Sequence, residues 1–153
     1  MIDNPTSLER TILETIPLAR AMEVSVLEYD GSRLALSAPL GSNVNDKGCA
    51  FGGSMASLMT LAGWGLINLK LGEQACAADV FVADSNITYL SPLWDELIAE
   101  ASAEVGHSWE DFINDFRRRG KARISVAVEM TSVQGGAVVC RMLARFVAKS
   151  QVH

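Results

Sequence analysis

Cysteine is scarce in this chain: Cys49, Cys76 and Cys140 are the only three among 153 residues, and no two form a CxxC pair. An odd, scattered set excludes a disulfide framework, offers no zinc site and fits a reducing, cytoplasmic compartment. Histidine is scarcer still. His107 is the only one inside the chain, just ahead of a helix-capping serine, which marks a solvated loop. Without a G-x-S-x-G elbow, a Ser-His-Asp triad has nothing to rest on. Positive charge is also short: 13 Lys and Arg face 18 Asp and Glu, giving a net charge of −5. That balance excludes the broad basic footprint of a nucleic-acid binder. The opening MIDNPTSLER has no basic stretch followed by an apolar core, so no signal peptide is expected. Internal repeats, low-complexity tracts and linkers are missing too.

What the chain has instead is one long apolar run. NDKGCAFGGSMASLMTLAGWGLINLKL, Asn45–Leu71, begins as a polar glycine loop and holds no ionisable side chain from Phe51 to Leu69. A helix apolar all round is buried on most faces or lies in lipid. The 21 residues Phe51–Leu71 match the roughly 20 a membrane span needs. Ser54, Ser57, Thr60, Asn68, Lys70 and four glycines lie among them, which favours a buried central helix. Length predicts a single domain, 1–153. A mean hydropathy of +0.19 hints at a buried subunit interface as well.

Around this run the chain alternates short signals. Thr6-Ser-Leu-Glu9 beside Pro5 suggests a capping box opening a helix through about Thr15, which Pro17 ends or bends. Val24–Tyr29 and Arg33–Ser37 are strand-like, and the Asp30-Gly31 between them signals a hairpin. Gly72 is a plausible stop for the central helix. Strands follow at Ala78–Leu90 and Leu97–Ala103. Ser108 caps an amphipathic helix that runs through Arg119 to a stop at Gly120. Two long strands, Arg123–Thr131 and Ala137–Ala148, turn at Gln134-Gly135-Gly136 and end the chain. Six strands in hairpin-like order with one buried helix predict an α+β fold, an antiparallel sheet curled around that helix.

The start of the central helix is the place where chemistry is expected. Its first N–H groups have no intrahelical acceptor and carry the positive end of the helix dipole. Gly52 and Gly53 let a ligand carbonyl approach. They serve either a tight turn with close packing or an oxyanion hole for an ester or thioester. Ser54, Ser57 and Thr60 form a slowly drifting hydroxyl stripe, again either packing or function. Cys49 near the helix start reads as a packed small residue. No P-loop pattern is present, and no metal is implied.

The pattern N-x-x-G-x-x-F-G-G (Asn45, Gly48, Phe51, Gly52, Gly53) before a long helix, then N-I-T-Y-L-S-P (Asn86–Pro92), resembles the hotdog-fold acyl-thioesterases. Those proteins usually carry His where this chain has Phe51. Phe51 together with T-x-x-G-W-G, Thr60–Gly65, is similar to a subgroup also found fused behind a bacterial acetyltransferase-like domain. The resemblance covers about Val24–Ala148. It implies a hotdog domain, dimeric or tetrameric, hydrolysing acyl-CoA or acyl-carrier-protein thioesters in fatty acid metabolism, with Gly52 and Gly53 polarising the carbonyl. Coenzyme A is then part of the substrate and no cofactor is needed.

One departure from the family stands out. Many relatives place a catalytic Asp or Glu eight residues after the first glycine of the pair, where this chain has Thr60. A threonine hydroxyl is a poor proton acceptor near neutral pH. Asp84, on the following strand with Asn86 and Thr88, is the favoured replacement, ahead of Asp46 and Asp79. Strand parity puts Asp79 and Asp84 on opposite faces unless a bulge intervenes. Asn45 and Thr60 would help place the water. Met59 and Trp64 would be acyl-tunnel walls or plain core. Arg117, Arg118, Arg119, Lys121 and Arg123 are either a solvated face or the seat of the coenzyme A nucleotide or of an acidic carrier protein. A non-catalytic acyl- or CoA-binding module is the alternative. A dehydratase or isomerase ranks last, because the loop offers Phe51 instead of a histidine.

Overall fold

The computed structural model describes residues 1–151. Helix α1, Pro5–Thr15, starts two residues earlier than Thr6-Ser-Leu-Glu9 suggests. Asn4 is its cap: Asn4 Oδ1 accepts the Ser7 N–H at 2.9 Å, and Ser7 Oγ accepts the Asn4 N–H at 3.2 Å. Pro5 explains the shift, since a residue without an N–H fits the first helical position. Glu9, freed from capping, accepts the Val26 N–H at 2.8 Å and ties the helix to the first strand. Pro17 ends α1 and then opens a second helix, α2, Pro17–Met22, for the same reason.

The hairpin β1, Ser25–Tyr29, and β2, Leu34–Ala38, leads into the central helix α3, Gly52–Glu73. Ten of its 22 residues are buried, with no single apolar stripe. Gly72 is not its stop; the helix runs on to Glu73. The glycine is needed for space, because a β-carbon there would collide with the backbone carbonyl of Ile2. Met59 is fully buried and belongs to the core. Among the described residues no helix is long and apolar enough to cross a membrane.

After α3 come β3, Ala78–Tyr89, and β4, Leu97–Ala103, then α4, Trp109–Arg119, β5, Lys121–Thr131, and β6, Val138–Ser150. Ser108 caps α4 and Gly120 ends it in the left-handed conformation, as the spacing predicts. The sheet order is β1-β2-β4-β5-β6-β3, antiparallel throughout. It wraps α3, which packs against β2, β3, β4, β5 and β6. This is the curled sheet of a hotdog fold. β3, 12 residues long, pairs only with β6 and leaves its other edge unpaired among the described residues.

A register shift between Val82 and Asp84 overturns the parity expectation. Asp79 lies opposite Lys149 and Asp84 opposite Arg145. Lys149 and Arg145 are both on the exposed side of β6, so the two aspartates share the outer face of the sheet. The extra residue of the bulge restores the phase that an odd spacing loses. The inward positions of β3 are instead Val80, Val82, Ser85, Ile87 and Tyr89, opposite Ala148, Phe146, Ala144, Met142 and Cys140.

Candidate active site

The loop before α3 is pinned by its own backbone. Asn45 N–H donates to the Cys49 carbonyl at 2.8 Å, and Gly48 N–H to the Asn45 carbonyl at 3.2 Å. Asn45 Oδ1 accepts the Lys47 N–H at 2.8 Å while its Nδ2 reaches Cys49 Sγ at 3.2 Å, so this side chain closes the loop. Gly48 has φ +88°, a conformation that costs other residues dearly. Ala50 N–H donates to Leu93 C=O at 2.8 Å and Phe51 N–H to Asn43 C=O at 2.7 Å. Asn43, 2% exposed, fixes that strut by donating to the carbonyls of Met22 and Pro39.

Beyond these anchors the hydrogen bonding stops. Phe51 is the N-cap and gives no side-chain cap; within the described residues Gly52, Gly53 and Ser54 N–H find no acceptor. Two half-exposed aromatics flank this bare turn. The Phe51 ring lies over Gly53, where any β-carbon would strike it. The Tyr89 hydroxyl donates to Gly52 C=O at 3.0 Å. Burial, and then the neighbouring Cys140, raises the Tyr89 pKa, so the phenol stays a neutral donor. Neither Asn43 nor Tyr89 is a visible site residue in the sequence; each acts through a contact across the fold.

A groove of about 350 Å³ lies along the side of α3 between Ala56 and Leu61. Ala56, Ser57, Thr60 and Leu61 form one wall, Ser85 and Ile87 of β3 the other, and α2 contributes Leu18 and Met22. The Thr60 hydroxyl donates to the Ala56 carbonyl at 2.8 Å, which leaves its oxygen lone pairs for a water or ligand. No ionisable side chain lines the groove.

The remaining candidates lie elsewhere. Asp84 does not join the Gly52 turn within one chain; it pairs with Arg145 on the outer sheet face, the two side chains 60% and 51% exposed. Asn86 and Thr88 share that face, opposite Leu143 and Arg141. Asp46 pairs with Lys47 in solvent at 3.0 Å, and Asp79 accepts from Gln151 at 3.2 Å. Cys49 is buried, and His107 lies 3.7 Å from Glu104 in the loop before α4. Arg117 donates to the Gln74 carbonyl at 3.1 Å, and Arg118 pairs with Asp115 at 2.8 Å. With Arg119, Lys121 and Arg123 they cluster at the C-terminal end of α3. The 22 residues of the helix put that cluster about 33 Å from Gly52.

Known proteins share this fold. The model of the family YiiD_C, described as "Putative thioesterase (yiiD_Cterm)", matches residues 5–150. The chain belongs to the YiiD_C family. Among solved structures, a protein of unknown function from Chlorobaculum tepidum TLS is 27% identical with a TM-score of 0.89, covering 98% of this chain and 99% of that one. A structure named a putative thioesterase, from Shewanella oneidensis, is 25% identical with a TM-score of 0.86, covering 96% and 97%. A thioesterase from Haemophilus influenzae is only 12% identical, with a TM-score of 0.78 over 100% and 98% of the two chains, and shares the fold. The YiiD_C match takes in the turn, the groove and all six strands.

Proposed function

We propose that this YiiD_C protein hydrolyses acyl thioesters carried on coenzyme A or on an acyl-carrier protein. The observation that carries the reading is the trio of unpartnered N–H groups at Gly52, Gly53 and Ser54, on a helix that borders an apolar groove from Ala56 onward. Two of these donors hold the thioester oxygen. As water adds to the carbonyl carbon, the oxygen takes on negative charge and those hydrogen bonds strengthen. The C–S bond then breaks; the thiol leaves with a proton and the acyl group leaves as a carboxylic acid. The closed Asn45 loop holds the donors in place; Thr60, seven residues and about 10 Å along the helix from Gly53, does not reach that water within one chain.

The site is completed in a dimer. β3 leaves an unpaired edge with Val82 and Tyr89 half-exposed beside it, which a second copy pairing antiparallel would cover. Because α3 runs alongside β3, that pairing brings the second copy's basic cluster, Arg117 to Arg123, toward this copy's Gly52 turn. The cluster then receives the phosphates of coenzyme A or an acidic carrier, spanning a distance that one chain cannot. A dimer of dimers through the outer sheet face and a cytoplasmic setting belong to the same reading.

The test is release of free thiol from a panel of acyl-CoAs, with Gly52→Pro as the variant. Proline fits the first helical position, Phe51 already has the extended conformation it requires, and its β-carbon would meet Tyr89 at an ordinary 3.5 Å. It removes one donor and leaves the fold. Unchanged turnover in that variant rejects the oxyanion role. The groove's lack of ionisable groups favours one second reading, an acyl-binding module without turnover. It requires acyl-CoA to raise the melting temperature with no hydrolysis above background.

A further inference from the structure

We infer that Tyr89 is a positioning residue for the oxyanion hole: its hydroxyl holds the Gly52–Gly53 peptide so that the Gly53 N–H faces an incoming carbonyl. This deepens the thioesterase reading and rests on it for the identity of that carbonyl. The two glycines open α3 without a side-chain cap. Paired glycines at a helix end have the widest choice of backbone conformations. Donors that stabilise a developing charge must nevertheless be fixed before it appears. Something outside the helix has to hold them.

The fold supplies two holds, one on each peptide. Phe51 N–H donates to the Asn43 carbonyl at 2.7 Å, and Phe51 C=O accepts the Met55 N–H at 3.0 Å, which sets the plane carrying the Gly52 N–H. The next plane carries Gly52 C=O on one side and Gly53 N–H on the other. The Tyr89 hydroxyl donates to that carbonyl at 3.0 Å. Among the described residues, no other side chain hydrogen-bonds the first turn, Gly52 to Met55. Because a peptide is planar and trans, fixing the carbonyl fixes the N–H on its opposite side. A carbonyl oxygen has two lone pairs, so it accepts the phenol as well as the helical N–H four residues on. Drawing charge from the carbonyl also makes the N–H of the same peptide a stronger donor.

Tyr89 is itself held from behind. It ends β3 opposite the buried Cys140, and the next two residues, Leu90 and Ser91, both donate N–H to the Val139 carbonyl, at 2.8 and 3.2 Å. Its ring lies against Gly52, where a β-carbon would stand 3.5 Å from the ring edge. Burial, and then Cys140, keeps the phenol protonated and so a donor. The side chain is nonetheless 52% exposed, so loss of the hydroxyl opens no cavity in the core. What that hydroxyl does is hold one peptide.

The experiment uses the full chain and Tyr89→Phe, which keeps the ring against Gly52 and removes the hydroxyl. Thiol release from acyl-CoAs is measured beside calorimetry with two non-hydrolysable CoA analogues. One is a trifluoromethyl ketone, whose hydrate mimics the tetrahedral centre; the other is an alkyl thioether without a carbonyl. In the variant, kcat and affinity for the ketone are expected to fall together, about three- to tenfold, as for one neutral hydrogen bond. KM and thioether affinity are expected to stay at the wild-type values. A folded variant with wild-type kcat and ketone affinity overturns the inference and keeps the hydrolase. Equal losses for ketone and thioether also overturn it, since the hydroxyl would then shape the pocket without acting on the carbonyl. If Tyr89→Phe does not fold, 3-fluorotyrosine at position 89, a stronger donor of nearly the same shape, replaces it. An unchanged kcat and ketone affinity there overturn the inference. Ketone binding that falls in Tyr89→Phe, in a protein without turnover, supports the role of Tyr89 and removes the hydrolase reading. Binding of neither analogue by the wild type, with no turnover, removes both.

Discussion

At its C-terminal end, α3 ties off its backbone and surrounds itself with charge. Gln74 and Cys76 N–H both donate to Leu71 C=O, at 3.1 and 3.0 Å, and Ala75 N–H donates to Gly72 C=O at 3.1 Å. Lys70 donates to Gly31 C=O at 2.7 Å, lies 3.3 Å from Glu73 and sits 5.8 Å from the Trp109 ring centre. Tyr29 hydrogen-bonds Glu73, and Arg117 donates to the Gln74 carbonyl. At the N-terminal end three N–H groups stay bare between two aromatic rings, with no charged side chain among the groove residues. Both ends carry glycine for close approach, one to the Ile2 backbone and the other to the Phe51 ring. A helix end that is fully tied off serves stability, whereas one left untied beside a groove is available for binding.

The sharpest way to break this contrast is Gly52→Pro. Loss of one preorganised donor should lower kcat about 10²–10³-fold, equivalent to about 2.7–4 kcal/mol, with the melting temperature kept. A matching loss of stability would mean the turn is structural. At the other end, Gly72→Ala should destabilise by about 1–3 kcal/mol, because the Ile2 backbone must move. Denaturant titration measures that, and specific activity should survive at temperatures where the variant is folded.

Tyr29→Phe sharpens the comparison through pH. Burial first, then Glu73 by hydrogen bond and charge, raises the Tyr29 pKa well above its ordinary value. The folded state therefore favours the neutral phenol. Its contribution, about 1 kcal/mol for the lost hydrogen bond, is full below about pH 10 and disappears as pH rises through the folded pKa. Wild type and variant should differ in urea midpoint at pH 7 and converge in strong alkali. The smallest effect is expected from Asp84→Ala: less than about 1 kcal/mol, since its pair with Arg145 is exposed. Hydrolysis should stay close to wild type. A large loss would place Asp84 in the water-activating role across a dimer.

Much of the fold is readable where signals are local. Ser108 and Gly120 bound α4 because capping and left-handed stops act within one turn. Asp30-Gly31 marks the first hairpin for a similar reason. Gly72 misleads, since a glycine can mean a stop or a close contact, and only the position of Ile2 separates the two. Asp79 and Asp84 mislead because a bulge is a property of a strand pair and not of one strand. For the site, Gly52 and Gly53 are legible from their place before an uncharged run. Tyr89 and Asn43 are not, because each works through a partner far away in sequence.

By itself the sequence determined that one uncharged helix, opened by paired glycines, must be buried inside a sheet of amphipathic strands, because nothing else in the chain can shield it. Only the tertiary structure decided which groups meet at that helix. It turned Asp84 outward through one extra residue in β3, laid Tyr89 against the first turn, and joined the Trp64 indole to the Val80 carbonyl. The physical reason is that periodicity and capping act over a few neighbouring residues, whereas strand register and side-chain bridges depend on segments brought together from across the chain.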